Sequence, residues 1–390
     1  MDFDQIIDRR GTHSMKWDMM HARYGVAPDD GLPMWVADMD FRPPASVQQA
    51  LEAMVAHGIY GYFGDDSAYL QAITWWMQTR HGWAVDPGWI NTTHGLVNGT
   101  ALCVHTYTEP GDGVVLFTPV YHAFARVIRA AGRQVVECPL VNHDGRMTMD
   151  FAAYDAQMTG RERMVILCSP HNPGGQVWTA EELQGVAEFA ARHDLVLVSD
   201  EIHHDLVMPG HRHLAMPVAV PDCADRLVML TACTKTFNLA GGLTGNVIIP
   251  DDALRARFHA TLAALGISGN AFGKTMATAA YSPAGADWVD ALMGYLDGNR
   301  QVFEDGLRAI PGVSVTPLQS TYLAWVDFNA TGMTGAEIAR RIEGEARIAV
   351  NHGPDFGKGG EGFMRFNIAT PRQRVRQAVE RLQAAFADLQ

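Results

Sequence analysis

Cysteine is scarce in this chain of 390 residues, which contains only five, none of them in a C-x-x-C pair. Their spacing offers neither a disulfide framework nor the paired thiolates of a common structural zinc site. Unpaired thiols are typical of a reducing compartment, so we expect a cytoplasmic protein. The first ten residues have mixed charge and no apolar core, so we expect no signal peptide.

Positive charge and long apolar runs are also lacking. The chain has 30 lysines and arginines against 43 aspartates and glutamates, which gives a net charge of −13. This balance argues against nucleic acid or an anionic membrane surface as a partner. The long uncharged run at residues 91–108 is interrupted by threonine, asparagine, histidine and glycine, so it is a poor membrane span. The charge itself says little about the substrate.

No G-x-G-x-x-G follows a predicted strand, which argues against a dinucleotide-binding fold. What the sequence does contain is an alternation of short apolar runs and amphipathic stretches, and one helix is predicted clearly over residues 180–193. A capping box of Thr179 and Glu182 marks its start. This alternation predicts an α/β fold with a mainly parallel central sheet flanked by helices. The predicted strands cover residues 114–117, 135–138, 164–168, 195–198, 227–230 and 246–249.

Polar motifs follow three of these strands. They are SPHNPGG at residues 169–175, SDEIHHD at 199–205 and TACTKTFNLAGG at 231–242. Because functional residues of such sheets lie at the carboxyl ends of the strands, we expect Asn172, Asp200 and Lys235 to converge at one rim. An amine held in a partly dry site loses its charge more easily and can form a Schiff base. A buried carboxylate such as Asp200 needs a cationic partner.

Two further stretches complete a pattern, MWVADMDF at residues 34–41 and FMRFN at 363–367. In order and spacing the five motifs resemble fold-type I pyridoxal-phosphate (PLP) enzymes of the aminotransferase class I/II superfamily. The stretch at 34–41 is most similar to the MalY/PatB-type cystathionine β-lyase branch. The resemblance implies an N-terminal arm over residues 1–43 that packs on the small domain. It further implies a large PLP-binding domain over 44–285, a smaller α/β C-terminal domain over 286–390, and a homodimer with shared active sites.

The resemblance also implies roles for the motif residues. Lys235 would hold PLP covalently and move the Cα proton of the substrate. Asp200 would pair with the pyridine nitrogen, and Asn172 would donate to the phenolic oxygen beside the substrate. Arg365 would bind the substrate α-carboxylate, helped by the main chain at Ala37.

Other positions are implied to surround the ring and phosphate of the cofactor. Tyr121 would lie on the ring and His203 would border it. The amides of Leu96 and Val97, with Thr234, would bind the phosphate, which helix N-termini favour. Tyr62, in the glycine-rich GIYGYF loop at residues 58–63, would reach the phosphate of the neighbouring subunit.

Plainer interpretations exist for several of these residues. Tyr121 could be an ordinary packed ring, and Tyr62 an interface aromatic without a ligand. Asn98, near the predicted phosphate turn, could be only a helix cap. The pair His203 and His204 invites a metal interpretation, but the spacing D-E-x-H-H matches no metal signature, so we expect no metal.

The sequence departs from the wider superfamily at positions that commonly bind the cofactor phosphate. Ala232 stands where many members have a hydroxyl residue, and Gly242 and Leu243 stand where many have an arginine. Thr231 and Thr234 would have to compensate, and Lys274 is a further candidate.

The resemblance implies a carbon–sulfur β-lyase that converts cystathionine or another cysteine conjugate to thiol, pyruvate and ammonia. An aminotransferase of an L-amino acid uses the same residues and stays open. A third possibility is a PLP-containing protein with a second, regulatory role in binding a transcription factor.

Overall fold

The N-terminal arm runs along the C-terminal part of the chain. In the computed structural model, which describes residues 1–389, the arm holds helices α1 (Met15–Asp18) and α2 (Met20–Tyr24) and strand β1 (Leu32–Pro33). Strand β1 pairs in parallel with residues 348–349. Buried Lys16 and buried Asp40 lie 3.2 Å apart, so the arm is also held by an ion pair within itself.

The middle of the chain supplies the main sheet and most of the helices. Its strands are β2 (Ile90–Thr93), β3 (Gly113–Thr118), β4 (Gln134–Pro139), β5 (Val141–His143), β6 (Arg146–Thr148), β7 (Glu162–Cys168), β8 (Val196–Asp200), β9 (Leu227–Thr231) and β10 (Gly245–Ile248). Its helices are α3 (Ala45–His57), α4 (Ser67–His81), α5 (Leu96–Tyr107), α6 (Ala123–Ala130), α7 (Phe151–Gln157), α8 (Ala180–Arg192), α9 (Met216–Ala219), α10 (Cys233–Thr236), α11 (Asp252–Ala264) and α12 (Ala271–Ala280).

Seven of these strands form one sheet in the order β2–β10–β9–β8–β7–β3–β4. Both faces of the sheet are covered. On β3, Val115 and Phe117 belong to one buried cluster, whereas Val114 and Leu116 belong to the cluster on the other face. This explains why the strands read as continuous apolar runs and not as alternating ones.

The predicted architecture of a mainly parallel sheet flanked by helices is confirmed, since β4, β3, β7, β8 and β9 run parallel. Two features differ from the prediction. Strand β10 is antiparallel to β9, and β2, which was not predicted, is antiparallel to β10. The sequence of β2, INTT, is too short and too polar to stand out as an apolar run. The predicted capping box of Thr179 and Glu182 is present at the start of α8.

The remaining elements form a smaller layer. They are helix α13 (Pro283–Leu307), strands β11 (Ser314–Val315) and β12 (Leu323–Asp327), helix α14 (Gly335–Ala339), strands β13 (Ile348–Ala349), β14 (Asn351–His352) and β15 (Phe363–Asn367), and helix α15 (Arg372–Ala385). Strands β11, β12, β15 and β14 form an antiparallel sheet in that order. Helix α14 is capped by the Thr334 side chain, which accepts from the backbone N–H of Glu337, and the chain continues after α14 as a π-helical segment, Arg340–Glu345.

Candidate active site

Lys235 lies on the short helix α10, one turn beyond the end of β9. Its amine donates a hydrogen bond of 2.6 Å to the carbonyl oxygen of Ala37 in the N-terminal arm. Burial lowers the pKa of the amine to about 8, although the nearby Asp38 carboxylate opposes the shift. The lowered pKa enlarges the neutral fraction of the amine, which is the form that acts as nucleophile and base.

Asp200 is the last residue of β8, and its side chain is buried. Burial raises the pKa of the carboxyl to about 7, while a hydrogen bond of 3.1 Å from the backbone N–H of Ile202 to Oδ1 acts against the shift. Within residues 1–389 the carboxyl forms no ion pair with a basic side chain. A positively charged partner beside Asp200 would therefore stabilise its ionised form.

Arg365 sits in the middle of β15 with only 2% of its surface exposed. Its guanidinium donates to Asn172 Oδ1 at 2.9 Å, to the Trp35 carbonyl at 3.0 Å and to Asn351 Oδ1 at 2.5 Å. All three acceptors are neutral, the buried Nε has no partner among the described residues, and burial lowers the pKa to about 10. This buried cation is thus oriented but lacks an anion. Its bond to Asn172 Oδ1 also turns the amide nitrogen of Asn172 away, leaving it free to donate elsewhere.

Two adjoining cavities connect these groups. The inner cavity has a volume of about 170 Å³ and the outer cavity about 470 Å³. Both are lined by Ala37, Tyr121 and Lys235, so the amine of Lys235 stands at their junction. Arg365 lines the outer cavity, whereas Asp200 lines the inner one. Two molecules, one bound in each cavity, would therefore both lie beside Lys235.

The structure brings most of the residues predicted from the sequence into the inner cavity. Its lining includes Leu96, Val97, Tyr121, Asn172, Asp200, His203, Thr234 and Lys235. Helix α5 starts at Leu96, with Gly95 as its N-cap, so unpaired amides of its first turn face this cavity. Tyr62 is not among these residues, and its side chain is fully exposed on the loop before α4.

The two additional candidates for binding the phosphate, Thr231 and Lys274, lie outside the inner cavity. The buried Thr231 hydroxyl accepts a hydrogen bond of 3.3 Å from Asn246, and the Lys274 amine is 2.6 Å from the Asp66 carboxylate. Neither lines the inner cavity. Asn98 stabilises the turn itself, because its side-chain oxygen accepts from the backbone N–H of His94 at 3.1 Å.

The two histidines after Asp200 differ in their surroundings. His203 lines the inner cavity, and burial lowers its pKa well below the usual value, so its ring is neutral. His204 packs instead against the ring of His81, with centroids 4.0 Å apart. Both rings approach Asp205, whose oxygens accept from Trp76 at 2.9 Å and Thr236 at 2.8 Å.

The Asp205 cluster is the one group within residues 1–389 where three ligand atoms of metal-binding type, on His81, His204 and Asp205, lie within 4.8 Å of one another. The carboxylate of Asp205 is already engaged by the Trp76 and Thr236 donors. We therefore interpret the cluster as a buried hydrogen-bond network. Through Thr236 it fixes the helix that carries Lys235.

Three contributors to the site were missed in the sequence. The Tyr322 hydroxyl donates to the Ala37 carbonyl at 3.0 Å, beside the bond from Lys235. The side chain of Asn351 and the main-chain carbonyl of Trp35 hold Arg365. Trp35 belongs to the stretch at residues 34–41, but nothing in the sequence indicated a role for its carbonyl. Tyr322 follows two hydroxyl residues, and Asn351 follows an apolar run of only three residues, 348–350, so neither stood out.

Together, fold and cavities define an α/β enzyme whose reactive groups lie at the carboxyl ends of parallel strands. The chain belongs to the aminotransferase class I and II family, whose sequence model matches residues 36–382. It is 39% identical to cystathionine β-lyase PatB of Bacillus subtilis, over 99% of this chain and 100% of that protein. It is 32% identical to MalY of Escherichia coli, over 97% of each.

A solved structure shows the same architecture. Cystalysin of Treponema denticola, whose crystal structure contains a pyridoxal 5'-phosphate cofactor, aligns with a TM-score of 0.95 and 34% identity. The alignment covers 100% of this chain and 99% of that one. The predicted membership of the superfamily and of its cystathionine β-lyase branch is thereby confirmed.

Proposed function

We propose that this protein is a PLP-dependent carbon–sulfur β-lyase that cleaves cystathionine or another cysteine conjugate to thiol, pyruvate and ammonia. The observation that carries the proposal is the position of Lys235 between an inner cavity with Asp200 and an outer cavity with Arg365. The similarity to cystathionine β-lyase PatB supports the same activity, and the similarity to PLP-containing cystalysin supports the same cofactor.

The chemistry of the inner cavity fits PLP. Asp200 is a buried carboxyl in need of a cation, which the protonated pyridine nitrogen of PLP provides. The first-turn amides of α5, at Leu96 and Val97, suit a phosphate group. Tyr121 offers a ring to lie against the cofactor, and the amide nitrogen of Asn172 is free to donate to its phenolic oxygen. We assign Thr234 and His203 to the same cofactor site.

Once bound, PLP supplies an electron sink for bonds that break at the substrate Cα. The protein's own groups do the rest. Arg365 binds the substrate α-carboxylate through its guanidinium, which is held by neutral acceptors and thus keeps its charge for the ligand. Ala37 borders the same place, and its carbonyl fixes the amine of Lys235 through the bond of 2.6 Å.

Lys235 then acts as the base at the reacting atom. Burial lowers the pKa of the amine and so favours its neutral form, which is the form that accepts the proton from Cα. The electron pair of that C–H bond forms the Cα–Cβ double bond while the thiolate leaves from Cβ. The leaving thiolate takes up the proton held by Lys235, and one water hydrolyses the aminoacrylate to pyruvate and ammonia. The reaction therefore balances without an oxidant or a 2-oxo acid.

The test is an incubation of the PLP-loaded enzyme with L-cystathionine in the absence of any 2-oxo acid, measuring pyruvate and free thiol. We expect sustained pyruvate and thiol over many turnovers, and loss of both in Lys235→Ala. If products appeared only after addition of a 2-oxo acid, the alternative function, an aminotransferase of an L-amino acid, would replace the lyase.

We further propose a cytoplasmic homodimer in which Tyr62 of one subunit reaches the cofactor of the other. Support for the dimer comes from the loop at residues 58–63, where Ile59, Tyr60 and Tyr62 are more than half exposed. Contiguous exposed apolar side chains of this kind mark interaction surfaces. All five cysteines are unpaired and buried, which suits a reducing compartment. Among the described helices, none has both the length and the apolar character to cross a bilayer.

A further inference from the structure

The outer cavity extends beyond Arg365 to a mouth where two opposite charges stand. Arg23, on helix α2, and Asp355, in the turn Gly353–Phe356 before β15, both line it. Within residues 1–389 neither side chain has a hydrogen-bond partner or an ion-pair partner within 4.0 Å, and they do not pair with each other. The mouth of the cavity therefore offers one free cation and one free anion.

Arg23 and Asp355 both lie next to residues that contact Arg365. The guanidinium of Arg365 donates to the carbonyl of Trp35 and lies 4.9 Å from the ring centre of Phe356. Arg23 lies over the ring of that same Trp35, at 5.5 Å, and Asp355 directly precedes Phe356 in the chain. Arg23 and Asp355 are thus placed just outside the position where a substrate α-carboxylate would be bound by Arg365.

The polar groups between them are neutral. The Tyr24 hydroxyl accepts a hydrogen bond of 3.3 Å from Asn351, which in turn accepts from Arg365. His122 also lines the cavity, and burial together with the nearby Arg365 lowers its pKa to about 4. Near neutral pH the mouth therefore presents Arg23 and Asp355 as its charged groups beyond Arg365 and Lys235.

We propose that Arg23 and Asp355 form a subsite for a second α-amino acid group on the leaving side of the substrate. Arg23 would bind its carboxylate and Asp355 its ammonium. The preferred substrates are then thioethers or disulfides that end in a second zwitterion, rather than cysteine conjugates with an apolar or uncharged group. This inference rests on the proposed lyase function and defines the substrate class of the same site.

A charged subsite at a cavity mouth is partly screened by water, so its contribution is modest. Charge-assisted hydrogen bonds contribute more than exposed ion pairs, and a partly screened contact at the mouth lies between these two cases. We therefore expect each charge to contribute a factor of roughly five to ten to kcat/KM for a zwitterionic substrate, since 1.4 kcal/mol corresponds to about tenfold.

The experiment compares L-cystathionine with S-methyl-L-cysteine, which shares the reacting atoms but lacks the distal charges. The variants are Arg23→Gln and Asp355→Asn, with Arg10→Gln as a control. Arg10 is another exposed arginine of the arm, and it pairs with Asp8 at the surface. We expect each test variant to lose about five- to tenfold in kcat/KM for L-cystathionine, mainly through KM, while S-methyl-L-cysteine stays within about twofold.

Equal losses of kcat/KM on both substrates would mean that the two residues only support the structure. A loss no larger than that in Arg10→Gln would mean that the two charges do not contribute to substrate recognition. Either result overturns the subsite. If wild-type enzyme cleaved neither substrate, the lyase function would fail. Calorimetric binding of L-cystathionine to the same variants would then still decide whether Arg23 and Asp355 recognise the distal group.

Discussion

Three ionisable side chains dominate this site, and within the described part of the chain none forms an ion pair with a group of opposite charge. They are Asp200 and Arg365, which are buried, and Lys235, which is half-buried. Desolvation shifts the pKa of each group in the direction that favours its uncharged form. Such groups destabilise a fold unless a ligand compensates them. The pattern therefore indicates that these residues are kept for binding and catalysis at the expense of stability.

Asp200 allows this cost to be measured. Its folded pKa of about 7 lies above the ordinary value of 3.8, so in the cofactor-free protein the folded state holds the proton more tightly than the unfolded state. The loss of folding free energy caused by this carboxyl is absent below pH 3.8. It grows by about 1.4 kcal/mol per pH unit as the pH rises, and it reaches its full size above pH 7. Cofactor-free Asp200→Asn should thus unfold at higher urea concentration than wild type at pH 8, with the gap closing near pH 4.

Loading with PLP should reverse that order at pH 8, because the carboxylate then has a cation to pair with. Asp222→Asn, a change at an exposed surface carboxyl, serves as the matched control and should show neither effect. A cofactor-free Asp200→Asn protein no more stable than wild type at pH 8 would contradict the assignment of Asp200 as an uncompensated buried carboxyl.

At the scale of elements, the strand ends were the predictable part. The apolar runs before Asn172, Asp200 and Lys235 mark β7, β8 and β9, and the rule that parallel strands present their carboxyl ends together places the three side chains at one rim. The capped helix α8 was predictable for a similar reason, since its signals lie within a few neighbouring residues.

Features that depend on distant parts of the chain were not predictable. The antiparallel direction of β10 is set by its pairing with β2, whose sequence carries little apolar signal. The anchor of α10 combines His81, Asp205 and Thr236 from three separate segments. Tyr322 reaches Ala37 across 285 residues of sequence. In each case a tertiary contact decides the role, and a local pattern cannot show it.

At the scale of the whole molecule, we propose the three-part division into an arm at 1–43, a large domain at 44–285 and a small domain at 286–390. The arm is central to this arrangement. It pairs with Ile348 through β1, supplies Ala37 to Lys235 and supplies the Trp35 carbonyl to Arg365. It thereby ties the groups of both cavities to the small domain.

The proposed homodimer leads to a complementation test. A Lys235→Ala subunit lacks the catalytic amine, and a Tyr62→Ala subunit lacks the side chain expected to reach its neighbour's cofactor. Each variant alone should be weakly active or inactive. After random reassembly of equal amounts, we expect about a quarter of wild-type activity, because half of the dimers would be mixed and each mixed dimer holds one intact site. No recovery, or a monomer by light scattering, would count against a shared site.

The most direct test of the account is to find the lysine that holds the cofactor. The PLP-loaded protein is reduced with borohydride, digested and analysed by mass spectrometry. We expect one modified peptide, carrying the reduced cofactor on Lys235, and no such adduct in Lys235→Ala, whereas a variant of the ion-paired Lys274 keeps it. An adduct on another lysine in the wild-type protein, or none at all, would contradict the site described above.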